Sequence, residues 1–140
     1  MPGSVRIVLV SHSAQLARGV AELAAQMAPD VDLVAAGGSD DGGLGTSFDL
    51  ISAALAEPPA GGIVVLYDLG SALLTTETAL EFLDPDDAGR VEVVDAPLVE
   101  GALAAATTAQ AGADRATVAA AAAATGGARA EENEAAPLTA

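Results

Sequence analysis

The chain has 140 residues, enough for a single domain with a sizeable hydrophobic core. Its 20 acidic residues outnumber 5 basic ones, and the resulting net charge of −15 disfavours nucleic acid and anionic membranes and favours a partner with a basic patch. Cysteine is absent and histidine occurs once, which excludes disulfides, thiol chemistry, and zinc sites built from cysteines or several histidines. The apolar run at residues 5–10 is too short for a secretory signal, and the run at 118–124 is too short to span a bilayer, so we expect a soluble, cytoplasmic protein.

The first half of the chain alternates apolar runs with helical patterns. Leu16, Val20, Leu23 and Met27 fall on one face of a helix, and Thr46 with Asp49 resembles a capping box for another helix. The predicted elements are a strand over 5–10, a helix over 14–28, a strand over 31–36, a glycine-rich loop over 37–47 and a helix over 47–56.

The second half continues the same alternation and then changes in composition. Two alanine-rich helices follow Pro97, and the last residues have little apolar surface to bury. The predicted elements are a strand over 62–67, a helix over 72–83, a strand over 90–95, and helices over 98–110 and 114–124. We therefore predict one domain over 1–125 and a flexible tail over 126–140.

Strands and helices that alternate with short links are typical of an α/β fold. The strands are near-continuous runs of β-branched residues, as expected when both faces of a sheet are covered by helices. The pattern predicts a doubly wound, mostly parallel sheet of four or more strands with helices on both faces.

Three candidate segments follow the first three predicted strands. They are His12, the glycine-rich loop, and the run Asp68-Leu69-Gly70-Ser71. In a parallel sheet these positions share the edge where ligands bind. If strands one and three are neighbours, ~4.8 Å apart, Asp68 can reach the His12 ring. An Asp–His hydrogen bond would then fix the tautomer and leave a nucleophilic lone pair facing the cleft.

The same segments carry groups suited to a phosphoryl group. Glycines allow close approach of the backbone, and amides at a helix start can donate to anionic oxygens. The candidate phosphoryl-binding residues are Gly38, Gly45, Thr46, Ser47, Gly70 and Ser71. Neither a "GxxxxGK[ST]" nor a "GxGxxG" motif is present, so direct nucleotide binding is poorly supported.

Other interpretations of these residues stay open at this point. A lone histidine after a strand is often structural, Asp68 could simply cap a helix, and glycine clusters usually mark turns. A Ser–His–Asp hydrolase is also conceivable, because Ser11, Ser13 and Ser71 lie near His12 in the predicted fold. The chain lacks the "GxSxG" elbow of the α/β-hydrolases, however, and its residue order differs from theirs.

Four segments between about Val5 and Thr125 together resemble one known family. They are "IVLVSHSAQLARGVAELAAQM", "AAGGSDDGGLGTS", "VLYDLGSALLTTETALEFL" and "APLVEGALAAA". In this order they are similar to the mannose-type EIIA domains of the phosphoenolpyruvate:sugar phosphotransferase system. "APLVEG" points to the branch of phosphotransferase subunits of dihydroxyacetone kinase.

The resemblance implies a function and a set of partners. His12 would accept a phosphoryl group from the phosphocarrier HPr, oriented by Asp68, and would pass it to ADP on a nucleotide-binding kinase subunit. The ATP so formed would phosphorylate dihydroxyacetone. Such a transferase acts as a homodimer and needs neither a cofactor nor a metal. Some relatives continue into HPr-like and enzyme-I-like domains; this sequence shows none, so we expect those carriers to be separate proteins.

Two alternatives remain beside this implied function. The chain could be the EIIA component of a mannose-type sugar-import system, or a non-catalytic regulatory module that senses phosphorylation state. A retained His12–Asp68 pair favours a catalytic role.

Overall fold

The computed structural model describes the backbone of residues 4–135 and side chains up to residue 126. In this part of the chain no helix is both long and apolar enough to cross a membrane. The strands are β1 (Arg6–Ser11), β2 (Asp32–Gly37), β3 (Ile63–Tyr67) and β4 (Val91–Val94), and the helices are α1 (Ala14–Met27), α2 (Phe48–Leu55), α3 (Gly70–Glu81), α4 (Pro85–Ala88), α5 (Leu98–Gln110) and α6 (Arg115–Ala135).

The described strands form one parallel sheet in the order β2-β1-β3-β4, which confirms the predicted fold class. The chain moves one way from β1 to β2 and the other way on to β3 and β4, so right-handed crossovers place their helices on opposite faces. The reversal lies between β1 and β3, where Val10 pairs with Tyr67. The residues that follow these two strands, His12 and Asp68, therefore meet at the switch point of the sheet.

Alternate residues of the central strand build two separate cores. Ile7 and Leu9 pack with apolar residues of α1, α5 and α6, whereas Val8 and Val10 pack with those of α2 and α3. All four side chains are 0% exposed. Because the sheet is buried on both faces, the positions of the strand ends are rigidly held.

Helix α1 does not bury the face that was predicted from its larger apolar residues. Ala17, Val20 and Ala24 are buried, while Leu16, Leu23 and Met27 are 43%, 48% and 56% exposed. The reason is close packing: a Cβ built on Gly37 of β2 would lie 2.7 Å from the Cβ of Ala17. Only small residues fit between the helix and the neighbouring strand.

Capping residues explain one shifted helix start and one additional helix. The N-cap of α2 is Ser47, whose hydroxyl accepts a 3.1 Å hydrogen bond from the amide of Leu50, so the predicted capping box at Thr46 is wrong. A short helix that was not predicted begins at Pro85, where Asp84 caps it and proline fills its first position.

The C-terminal helix is longer than predicted. Helix α6 continues to Ala135 instead of ending at 124, because alanine, glutamate and arginine favour helix strongly enough to carry it past Gly126. It includes most of the segment in which a flexible tail was predicted. Residues 136–140 lie outside the described residues.

Candidate active site

His12 lies in the turn that joins β1 to α1. The strand ends at the buried Ser11, and the helix begins after Ser13, whose hydroxyl caps it by accepting from the amide of Leu16 at 3.1 Å. These two fixed neighbours hold the backbone of His12. Its side chain is 24% exposed, which leaves part of the ring accessible to a partner.

Asp68 accepts four hydrogen bonds and brings the predicted pair together. Its Oδ1 accepts from Nδ1 of His12 at 2.9 Å and from the amide of Leu69 at 2.7 Å. Its Oδ2 accepts from the amide of His12 and the hydroxyl of Ser11, both at 2.9 Å. Both oxygens are thus held, and the carboxylate cannot turn without losing several bonds.

The same contacts set the charge of Asp68. Burial by itself raises the pKa of this carboxyl, but hydrogen bonds from the amide and ring of His12, from Ser11 and from Leu69 together bring the pKa below its usual value of 3.8. The ionised carboxylate only accepts, so Nδ1 of His12 carries a proton toward it. Nε2 therefore keeps the free lone pair of the neutral ring.

This pKa shift predicts a pH-dependent contribution to stability. We expect Asp68→Asn to lower the free energy of unfolding at pH 7 by about 1–3 kcal/mol, the scale of hydrogen bonds to a charged group. The lowered pKa means that the stabilisation is complete above the pKa of the unfolded state and is lost as pH falls through the folded-state pKa. The difference between wild type and variant should therefore shrink below about pH 4.

Urea unfolding of both proteins across this pH range measures the difference. Asp86→Asn changes an exposed aspartate of α4, outside the site, and serves as the control. A wild-type advantage that stays constant down to pH values of about 2.5 would contradict the assignment of the ionised form to Asp68.

Ser71 lies on the other ring nitrogen of His12. Its Oγ is 2.5 Å from Nε2, and because Nδ1 holds the ring proton, the hydroxyl donates to the Nε2 lone pair. Ser71 is the second residue of α3, so the start of this helix faces the same nitrogen. The first amides of a helix have no acceptor within it, and its positive end favours an anionic group.

The glycine-rich loop is tied to the turn that holds His12. The amide of Gly45 donates to the carbonyl of His12 at 2.8 Å, and the amide of Gly38 donates to the carbonyl of Ser11 at 3.0 Å. Their φ angles of +137° and +85° lie in a region that favours glycine. These two predicted phosphoryl ligands thus have their amides paired with the backbone that carries the histidine.

The two predicted hydroxyl ligands of the loop are also paired. Thr75 donates its single hydroxyl proton to the carbonyl of Ser71, so Thr46 is the donor in its 2.9 Å hydrogen bond to Thr75. Ser47, which is buried, donates to Asp40. Among the predicted phosphoryl ligands, Gly70 and Ser71 are the ones at the start of α3, where backbone amides lack helical acceptors.

Ser11 belongs to the site, but the sequence analysis did not predict its role. The sequence raised it only as a possible nucleophile, but its side chain is fully buried and bonded to Asp68. A polar residue directly after the apolar run at residues 7–10 was the available signal, because a buried hydroxyl requires a partner.

Three exposed leucines lie on the segments that carry or contact the turn of His12. Leu16 at the start of α1, Leu44 in the glycine-rich loop and Leu69 before α3 are 43%, 84% and 59% exposed. These three residues, the leucine rim, stand on the three segments that surround the histidine. No group of three or more histidine or carboxylate side chains in the described part of the chain is placed to hold a metal ion.

Comparisons with known proteins agree with this geometry. Residues 6–119 match the EIIA-man family model, described as the PTS system fructose IIA component. "PEP-dependent dihydroxyacetone kinase 1, phosphoryl donor subunit DhaM" of Listeria innocua is 38% identical over 104 residues, covering 74% of this chain and 81% of the relative. The DhaM subunit of Escherichia coli K12 is 44% identical over 115 residues, which cover 79% of this chain but 24% of that longer relative.

Two solved structures share the architecture. The crystal structure of "unknown function protein EF1359" superposes with a TM-score of 0.81 at 35% identity and covers 88% of this chain and 96% of that one. A sigma-54 interaction domain protein from Enterococcus faecalis has a TM-score of 0.71 at 14% identity, with 99% and 100% covered, and shares the fold. The family model spans most of the chain, and the L. innocua relative is matched over most of its length, so the chain belongs to the mannose-type EIIA family of the phosphotransferase system, in the group of the DhaM subunits.

Proposed function

We propose that the chain is the phosphoryl donor subunit of a phosphoenolpyruvate-dependent dihydroxyacetone kinase. It takes a phosphoryl group from phospho-HPr onto His12 and passes it to ADP held by the nucleotide-binding kinase subunit. The observation that carries the proposal is the hydrogen bond from Nδ1 of His12 to Asp68, which leaves Nε2 as the nucleophile beside the start of α3. The names of the DhaM relatives support the same role.

The proposed step exchanges one nitrogen–phosphorus bond for another. The Nε2 lone pair attacks phosphorus in line, the bond to the phosphohistidine of the donor breaks, and the donor imidazole leaves with the bonding electrons. Asp68 stabilises the positive charge that develops on the His12 ring. Ser71 must release Nε2 during the attack, and its hydroxyl then lies where it can donate to a phosphoryl oxygen, together with the first amides of α3. In the second transfer, an oxygen of the ADP β-phosphate displaces Nε2.

The surroundings of His12 suit successive docking by two macromolecules. The ring is only 24% exposed, so donor and acceptor must both reach Nε2 through this small exposed area, and the leucine rim offers them apolar contact. The net charge of −15 favours a basic partner surface and speeds the encounter at low salt.

The contacts of His12 also bear on the hydrolase alternative. Ser71, His12 and Asp68 are hydrogen-bonded in the order of a Ser–His–Asp triad. In the α/β-hydrolases, however, the amide after the nucleophile stabilises the oxyanion. Here that amide, from Ala72, already donates to the carbonyl of Leu69 at 2.9 Å. The arrangement therefore lacks this oxyanion donor and favours the histidine itself as the nucleophile.

A two-stage transfer experiment tests the proposal. The protein is first incubated with phosphoenolpyruvate, enzyme I and HPr, and intact mass is measured. We expect one acid-labile phosphate per chain. The purified phosphoprotein is then offered to an ADP-loaded dihydroxyacetone kinase subunit and, separately, to a mannose-type EIIB domain.

The acceptor decides between the remaining functions. Rapid formation of ATP on the kinase subunit with no transfer to EIIB is the expected result. The reverse preference would assign the chain to sugar import. A phosphate that reaches neither acceptor would indicate a regulatory module.

A further inference from the structure

Ser11 links the end of β1 to the residue that orients the histidine. Its side chain is 0% exposed, its hydroxyl donates to Oδ2 of Asp68 at 2.9 Å, and its Oγ accepts from the amide of Ser13 at 3.0 Å. We propose that Ser11 is a positioning residue, which holds Asp68 in the orientation that fixes the tautomer of His12. For its effect on phosphoryl transfer, this inference rests on the function proposed above.

The chemistry of the two partners fixes the direction of each hydrogen bond that the side chain of Ser11 makes. The ionised carboxylate of Asp68 can only accept, so the single hydroxyl proton of Ser11 points to it. The amide of Ser13 can only donate, so it uses a lone pair of the same hydroxyl. Ser11 therefore connects the start of α1, at Ser13, with the end of β3, at Asp68.

Loss of this hydroxyl should loosen Asp68 without releasing it. The terminal torsion of an aspartate is broad, so its orientation depends on what holds each oxygen. Without Ser11, Oδ2 keeps only the amide of His12, while Oδ1 still accepts from Nδ1. The tautomer preference should weaken, and phosphorylation should slow roughly threefold to tenfold, the factor that corresponds to one ordinary hydrogen bond.

Burial of Ser11 makes a specific kinetic prediction. A side chain with no exposed surface cannot touch phospho-HPr or the kinase subunit. Its removal should therefore lower the maximal rate of phosphorylation and leave the half-saturating concentration of the donor unchanged.

The experiment compares wild type with Ser11→Ala, Ser11→Cys and the control Ser52→Ala. Ser52 carries a buried hydroxyl on α2 that has no hydrogen-bond partner among the described residues, so its loss is the same chemical change away from Asp68. Because His12 is the only histidine, its ring nitrogens are read directly by two-bond proton–nitrogen NMR on ¹⁵N-labelled protein. Spectra are taken at about pH 8.5, where histidine side chains are ordinarily neutral. Single-turnover phosphorylation by phospho-HPr is measured in parallel.

We expect Ser11→Ala to lower the fraction of rings protonated at Nδ1 and to slow phosphorylation, while Ser52→Ala changes neither. Ser11→Cys keeps a hydrogen-bond donor, though a weaker one on a slightly larger side chain, and should fall between wild type and Ser11→Ala. If Ser11→Ala does not fold, the cysteine variant decides by the same readout. A wild-type tautomer in the folded variant would overturn the inference, even if the rate falls, because Ser11 would then act only on structure.

The tautomer is measured on the free protein, without donor or acceptor. It therefore decides the role of Ser11 toward Asp68 and His12 even if wild type accepts no phosphate. Failure of the proposed function would appear as an unphosphorylated wild type, and failure of this inference as an unchanged ring.

Discussion

Replacement of His12 by alanine is expected to reduce phosphate incorporation from phospho-HPr to background. Nε2 of this ring is the nucleophile in the proposed transfer, and the chain contains no second histidine to replace it. The measurement is intact mass after incubation with phosphoenolpyruvate, enzyme I and HPr, with wild type treated in parallel.

The fold should survive this change. The ring is 24% exposed and lies outside both hydrophobic cores, so circular dichroism should resemble that of wild type, and urea unfolding should show only the loss of the ring's hydrogen bonds to Asp68 and Ser71. Acid-labile phosphate that persists on a folded His12→Ala protein would show that another group accepts the phosphoryl group.

Replacement of Asp68 by alanine is expected to slow phosphorylation of His12 by about 10- to 100-fold, by analogy with the loss of a carboxylate that orients a metal-bound histidine. The variant loses the acceptor for Nδ1, so the ring proton can move to Nε2 and block the lone pair. It also loses the charge that stabilises the developing positive ring.

The control for this variant is Asp86→Ala, which removes an exposed carboxylate of α4, outside the site. Rates are taken from single-turnover reactions with excess phospho-HPr. If Asp68→Ala reacts at the wild-type rate, the carboxylate would serve only the structure, through its hydrogen bonds from Ser11 and from the amides of His12 and Leu69.

The helix over 98–110 was predictable from local sequence. The switch-point pair was predictable from chain order together with a common arrangement of strands. Helix α5 runs over Leu98–Gln110, as predicted, since Pro97 marks its start and alanines favour its continuation. The pairing of His12 with Asp68 required only that strands one and three be neighbours, as in a common doubly wound order.

Whether the candidate phosphoryl ligands have free hydrogen-bond donors was not predictable in the same way. Gly38, Gly45, Thr46 and Ser47 have the right groups, but whether a donor is free depends on which acceptor lies next to it in space. The carbonyls that accept from the two glycines belong to Ser11 and His12, far away in sequence. Residue type alone therefore identified the loop but not the partners of its donors.

The alternation of strands and helices and the sheet edge at which the chemistry lies both follow from periodicity and chain order, so the amino-acid sequence alone was enough to predict them. Which face of α1 is buried depends on how the helix packs against the sheet, since two apolar stripes share the helical period. Ala17 and Ala24 were chosen over Leu16 and Leu23 because β2 approaches too closely at Gly37 for a larger side chain. Ser11 likewise became a site residue through a carboxylate 57 positions away, a contact that exists only after β1 and β3 have paired.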